Sequence, residues 1–297
     1  MAFEIFSDSS CDLSTELRRE HNIHYFRMGI TLEGKDYHAD LDYQEYTQFQ
    51  LYDWAMKYVG HIKTSLITVQ EFCERMEPFL KEGKDILYLP CTDRLSGSAN
   101  VFKFAVEELQ PKYPDRKMLS VQCYRADMAL GMQVLEAARL RDEGKTIEEV
   151  IKWVEENRQF YHQIGSLETL TNLKAMGRVS GTAAFFANAL GIKPIIMSDI
   201  WGNNYAFKKV KGSKKAREEC FEYIKENMIE GVTDVIYVGQ ADCQETQYYF
   251  VNRIESELHI RAERFWIGPI VGISCGRGMY GIYFRGKEVT ADSEAKK

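Results

Sequence analysis

At 297 residues, with 45% hydrophobic and 28% charged residues, the chain has the profile of an ordinary globular protein and can bury a sizeable core without disulfides or metals. A net charge of −6 with no long basic block leaves it without the electrostatic footprint of a nucleic-acid binder. Seven cysteines, an odd number without C-x-x-C spacing, suggest neither a disulfide framework nor a zinc site. No apolar run approaches a membrane span, and "MAFEIFSDSS" lacks the pattern of a secretory signal. A cytoplasmic protein with reduced thiols and no stable membrane insertion is therefore expected.

In chain order, "FEIFSD" reads as a strand ending at Asp8, and "DLSTELRREHN" as a helix capped by Asp12. "IHYFRMGITLEGKDYHAD" is extended with a turn at Gly34, and "YQEYTQFQLYDWAMKY" is helical. Thr68 and Glu71 stand in capping-box spacing at the head of the next helix. "DILYLP" is a buried strand; "SGSANVFKFAVEEL" is a helix with Ser96 expected at its N-cap. Strand "KMLSVQ" and helix "ADMALGMQVLEAARLRDEG" complete a βαβα pattern, which implies a mainly parallel sheet covered by helices. After helix "TIEEVIKWVEENRQF" the pattern changes. "YHQIGS" is a strand, "LETLTNLKAMGRVSGTAAFFANALG" two helices broken at Gly177, and "IKPIIM" pairs with "NNYAFKKVKG". Two further helices and strands come next, and "HIRAERFWIGPIVGISCGRGMYGIYFRG" reads as mostly strand. The expected fold is α/β in two domains: residues 1–158 form an N-terminal, mainly parallel α/β domain, and residues 159–297 a smaller C-terminal α+β domain.

Gly276, Gly278 and Gly281 spell G-x-G-x-x-G. A dinucleotide turn needs a helix after the glycines, whereas "IYFRGKEV" reads as a strand. A turn between two strands and a backbone surface against a ligand both remain open for these glycines.

Hydroxyls gather elsewhere. Ser7, Ser9 and Ser10 lie at the end of the first strand, Thr64 and Ser65 precede a capped helix, and Ser96, Gly97 and Ser98 begin another. Ligands of open α/β sheets sit beyond the carboxyl ends of the strands, and a helix start offers free N–H groups. Each serine alone is equally an ordinary cap. Together they suggest a site that holds a carboxylate or phosphate through neutral donors. No set of catalytic residues, metal ligands or cofactor motif stands out. An enzyme of phosphoryl or acyl transfer on a small metabolite, using Ser96 or Asp8, remains the alternative, although Ser10 stands where aspartate-based phosphoryl transfer has its second aspartate.

The motifs in this order resemble the DegV family of fatty-acid-binding proteins over nearly the whole chain. "IFSDSSCDL" is similar to its D-S-T-A-D-L-type turn, "KTSLIT" to its K-T-S-Q-P-S motif and "RLSGSAN" to L-S-G-T-Y. "LETLTNLKAMGRVSG" with "NALGIKPII", then "KKVKGSKKA" and "GPIVGISCGRGMYG", resemble its later signatures. The resemblance implies a long-chain fatty acid buried between two domains, its carboxylate held by Thr64 and Ser96, with Ser65, Gly97 and Ser98 beside them. It also implies that some members present this carboxylate to a separate ATP-dependent fatty acid kinase, so that the chemistry belongs to the partner. Ser9, Ser274 and Arg277 are candidates for the head-group edge; Ser274 stands where the family has His, and Arg277 where it has Pro. Phe185, Phe186, Ala189, Leu190 and Ile192 are candidates to line the acyl tunnel, or equally to pack an ordinary core.

Overall fold

The structure, a computed structural model, describes residues 3–179 and 191–294. In the first half the elements are β1 (Phe3–Asp8), α1 (Thr15–Glu20), β2 (Ile23–Phe26), β3 (Gly29–Leu32), β4 (Lys35–His38), α2 (Gln48–Lys57), β5 (Lys63–Ser65), α3 (Val69–Lys81), β6 (Asp85–Tyr88), α4 (Ser98–Leu109), β7 (Met118–Ser120), α5 (Asp127–Asp142) and α6 (Ile147–Asn157). The second half holds β8 (Tyr161–Ser166), α7 (Thr171–Met176), β9 (Ile192–Ser198), β10 (Asn204–Lys211), α8 (Ser213–Asn227), β11 (Val235–Gln240), α9 (Gln244–Arg253), β12 (Arg261–Trp266), α10 (Pro269–Cys275) and β13 (Tyr280–Arg285).

Every residue of β1 and β6 is buried, as expected of strands covered by helices on both faces. They are the centre of a four-stranded parallel sheet ordered β2-β1-β6-β7. A separate antiparallel sheet, β4-β3-β5, carries the "KTS" motif on a three-residue edge strand. The second half builds a six-stranded sheet, β10-β9-β8-β13-β11-β12, antiparallel except for its β11/β12 pair. The fold is thus a parallel α/β unit joined to a mixed α+β unit.

Strand alternation on β13 shows how the two units share a core. Ile282 and Phe284 pack with Phe221 and Phe250 of α8 and α9. Tyr283, pointing the other way, joins the larger core built around the parallel sheet.

Three local expectations are corrected. Helix α1 is capped by Ser14, whose hydroxyl accepts from Leu17 N–H; Asp12 is buried two residues earlier with a φ of 53°. The N-cap of α4 is Gly97, and Ser96 instead accepts a 3.3 Å bond from Ser98 N–H. "PIVGIS" is the helix α10 and not a strand. Pro269 suits the first helical position, where no N–H is needed, and Gly272 lets Tyr52 approach, since a Cβ there would lie 2.9 Å from its ring. Of the Thr68 capping box only half forms. Thr68 accepts from Glu71 N–H, while the Glu71 carboxylate turns to Arg27 and Arg75.

Candidate functional site

The first strand ends in a buried carboxylate that organises the turn after it. Asp8 accepts bonds from Ser10 N–H at 3.0 Å and Ser10 Oγ at 2.6 Å on one oxygen. Its other oxygen accepts from Tyr88 OH at 2.9 Å and Cys91 N–H at 2.8 Å. Burial pushes its carboxyl pKa up, and these donors pull it back. With both oxygens occupied, Asp8 fastens β1 to the end of β6 and offers no free nucleophile. Ser10 and Cys91, which it positions, line a cavity of about 320 Å³, within the range of small-molecule sites.

One part of that cavity is polar. Thr64 and Ser65 come from β5, Ser96 from the turn before α4, and Arg178 from the segment after α7. The turn is tied together locally. Ser96 Oγ donates to Ser98 Oγ at 3.1 Å, and Ser98 Oγ accepts from Ile67 N–H at 3.3 Å. Ser98 is therefore spent on holding the β5 loop against α4; Thr64 and Ser96 stand at the wall, and Ser96 would turn its proton from Ser98 Oγ to a ligand. Gly29 makes room for this edge strand, because a Cβ there would meet Ser65 Oγ at 2.2 Å. Arg178 donates from Nε to Leu95 O at 3.0 Å and from Nη1 to Met176 O at 2.6 Å, so its cation is fixed beside Ser96.

The rest of the wall is largely apolar, with Met28, Leu66, Leu95 and Ala126 from the first half and more from the second, where Gln163 and Asn204 add polar groups. Ile164 and Leu167 belong to β8 and its end, Ile196 to β9, Ile270 and Val271 to α10, and Met279 to the start of β13. Hydroxyls and a guanidinium at one place and an apolar wall elsewhere suit an amphiphile with an anionic head. Among the described residues no group of three His, Cys, Asp or Glu side chains is arranged to hold a metal ion.

The structure brings Thr64, Ser65, Ser96 and Ser274 to the cavity. Gly97 and Ser98 stand just outside its lining, and so does Ser9, whose hydroxyl accepts from Met28 N–H at 3.0 Å. Ser274 donates to Ile270 O at 2.9 Å within its own helix, so its hydroxyl proton is already committed. Arg277 is not part of the cavity wall. It pairs with Asp53 and Asp242, each at 2.9 Å. Ile192 begins β9, half-buried, outside the lining. Phe185, Phe186, Ala189 and Leu190 lie outside the described residues. Arg178 is the functional candidate that sequence reasoning missed; its only signal was its place inside "AMGRVSG".

The glycines of "GISCGRGMYG" divide their work. Gly276 and Gly278 take φ of 80° and 86° in the turn from α10 to β13, a region that favours glycine. Gly281 lies under Tyr283, where a Cβ would meet the phenol oxygen at 2.1 Å.

Among the described residues no helix is long and apolar enough to cross a membrane. Residues 2–287 match a family model whose description reads "DegV: Uncharacterised protein, DegV family". A DegV domain-containing protein of Clostridium perfringens (strain 13 / Type A) is 30% identical over 285 residues, spanning 96% of this chain and 97% of that one. A solved structure from Thermus thermophilus, reported as fatty acid binding of a DegV family protein, is 26% identical with a TM-score of 0.85, over 96% of this chain and 100% of that chain. A DegV lipid binding protein from Thermotoga maritima superposes with a TM-score of 0.84 at 23% identity, over 98% of this chain and 100% of that chain, and so attests the fold.

Proposed function

The chain belongs to the DegV family, and from that premise we propose that it binds a long-chain fatty acid between its two units, with Thr64 and Ser96 holding the carboxylate. The observation that carries this reading is the cavity itself: residues of both halves line it, Thr64, Ser65 and Ser96 from the first meeting Arg178 and the aliphatic residues of β8, β9 and α10 from the second. The thermodynamics suit a lipid. Each buried methylene contributes about 0.8 kcal/mol, so an acyl chain supplies most of the affinity and the head group needs few polar contacts.

The protein acts as a carrier in this proposal, located in the cytoplasm, and presents the carboxylate to a separate ATP-dependent fatty acid kinase that would form the acyl phosphate. Ser274 and Arg277 bear on that second step. Ser274 cannot become cationic, and Arg277 is engaged with two aspartates, so among the described lining residues Arg178 is the cation available to a phosphorylated head group. The alternative of a transferase acting through Asp8 is disfavoured by the four hydrogen bonds that already occupy its oxygens.

Mass spectrometry of the denatured, purified protein, or titration with added fatty acid, tests the reading. About one equivalent of fatty acid is expected. A protein free of lipid and without affinity for it would overturn the proposal. Ser96→Ala and Thr64→Ala should each weaken binding by about 0.5–1.5 kcal/mol; unchanged affinity in the double variant would move the carboxylate elsewhere. Turnover of ATP by the isolated chain, lost in Ser96→Ala, would favour the transferase.

A further inference from the structure

Beside the cavity, two carboxyl groups that no part of the lipid site uses face each other in the interior. Asp12 lies after β1 and Asp127 begins α5; both are fully buried. Asp127 accepts on both oxygens, from Met128 N–H at 2.9 Å and from the Tyr283 hydroxyl. Asp12 accepts from Gly268 N–H at 2.7 Å on Oδ2, while its Oδ1 is buried with no donor. The two carboxyls are close enough for each to act on the ionisation of the other. Two ionised carboxylates so placed would repel, whereas a proton on one of them would let the pair hydrogen-bond. The described partners of the pair include no lysine or arginine.

The unpartnered oxygen says where such a proton would sit. Asp127 already receives a donor on each oxygen, so it is the acceptor of the pair. Asp12 Oδ1 is the atom that lacks a hydrogen, and placing the proton there satisfies it with a bond to Asp127. Burial and the charge of Asp127 both push the Asp12 carboxyl well above its usual range. The groups facing the pair from the surrounding elements include Asp8, Cys11, Tyr43, Tyr52, Cys91, Tyr283 and Cys275. Asp8, the other carboxyl among them, adds to the push and supplies no cation.

The other partners of the pair reach the wall of the cavity. Gly268 N–H is tied to Asp12, and the preceding carbonyl, Ile267 O, accepts from Tyr52 OH at 2.5 Å and Tyr43 OH at 3.3 Å. This anchored pair of residues launches α10, which carries Ile270, Val271 and Ser274 to the cavity. Tyr283, tied to Asp127, lines the cavity directly. Two glycines leave room for the arrangement: a Cβ on Gly268 would lie 2.1 Å from Asp12 Oδ1, and Gly281 makes space for Tyr283.

We infer that Asp12 is a positioning residue which keeps a proton at neutral pH and, through its bond to the ionised Asp127, clamps α10 and Tyr283 closed around the lipid. Loss of that proton puts two facing carboxylates in the interior, and their repulsion loosens the wall. The bound fatty acid should then leave faster as pH rises. The inference rests on the lipid-binding reading above and adds a control on release.

The test exploits the asymmetry of the pair. Asp12→Asn mimics the protonated acid, since its amide can donate to Asp127 while its carbonyl accepts from Gly268. Asp127→Asn puts a donor where two donors already point. Release of a fluorescent fatty-acid analogue is followed between about pH 6 and about pH 9 in full-length wild type and both variants. The wild-type rate should climb with pH. Asp12→Asn should be slow and flat, and Asp127→Asn faster by about tenfold or more at every pH. Equal behaviour of the two variants, or a wild-type slope preserved in Asp12→Asn, would overturn the inference.

Infrared spectroscopy supplies a readout that needs neither lipid nor a disruptive variant. The carbonyl band of a protonated, buried carboxylic acid should be present in wild type at neutral pH and absent from Asp12→Asn; a wild type without that band refutes the assignment. If no fatty acid binds wild type while the band is present, the lipid-binding reading falls and the protonated pair stands.

Discussion

Two buried ionisable sites join the halves of this molecule, and they meet the same problem in opposite ways. Arg125 is fully buried and has no carboxylate partner among its described hydrogen bonds. It donates to Tyr161 O at 2.6 Å, Tyr124 O at 2.7 Å, Asp199 O at 3.0 Å and Gln159 Oε1 at 3.3 Å. Burial lowers its pKa only to about 10, so it stays charged. A guanidinium has five donors in a fixed fork and can spread its charge over carbonyl dipoles. A carboxylate has no donor at all. Where two of them meet, as at Asp12 and Asp127, the interior is made tolerable by a proton. The cationic site is thus insensitive to pH near neutrality, and the acidic one is built to respond to it.

The largest expected effect breaks the cationic side. Arg125→Met leaves several buried carbonyls without donors and should cost about 3–5 kcal/mol in urea unfolding. A loss below about 1 kcal/mol would mean that water takes over those carbonyls. Next, Gly268→Ala drives a methyl against Asp12 Oδ1 and should cost about 1–3 kcal/mol, with faster lipid release; a neutral outcome would mean that Asp12 is not held tightly against the chain at 268.

The pH dependence of stability sharpens the contrast further. Asp12 and Asp127 have raised folded pKa values, so their contribution is fully present below the ordinary carboxylate range and is lost as pH rises toward the raised value. Glu4 behaves in the opposite sense. Burial opposes its charge, but His24 and Lys84 hold it down to about 2, so its contribution is present above about pH 4.5 and lost as pH falls toward that value. Asp12→Asn should therefore raise the melting temperature by about 2–4 °C at alkaline pH and leave the acid limb unchanged; a change confined to the acid limb would contradict the assignment. The smallest effect belongs to an exposed pair. Arg277→Ala removes contacts to Asp53 and Asp242 and should cost less than about 1 kcal/mol, with lipid affinity unchanged; a large drop in affinity would return Arg277 to the head group.

Local patterns made much of this readable. The βαβα alternation and the serine turn before α4 are each encoded within a few residues; "KTS", read as the approach to a capped helix, is a short strand, and the family resemblance singled out Thr64 and Ser96. Other features depend on distant parts of the chain. "PIVGIS" has the apolar, β-branched look of a strand, yet it is a helix because its flank packs on α2 and its start is pinned at Gly268. Asp12 has the spacing of a helix cap, but its partners are at 127 and 268, and no local rule links those positions. Arg178 stood inside a recognised stretch without a pattern to single it out, since its role comes from the carbonyls of Leu95 and Met176.

The close fit between Gly268 and Asp12 has an evolutionary corollary. The space that a side chain at 268 would need is filled by a carboxyl oxygen 256 positions earlier in the chain. Neither residue can change in size alone without a collision or a hole. The two ends of the gene should therefore vary as a linked pair: relatives that replace Gly268 by a larger residue should also have given up Asp12.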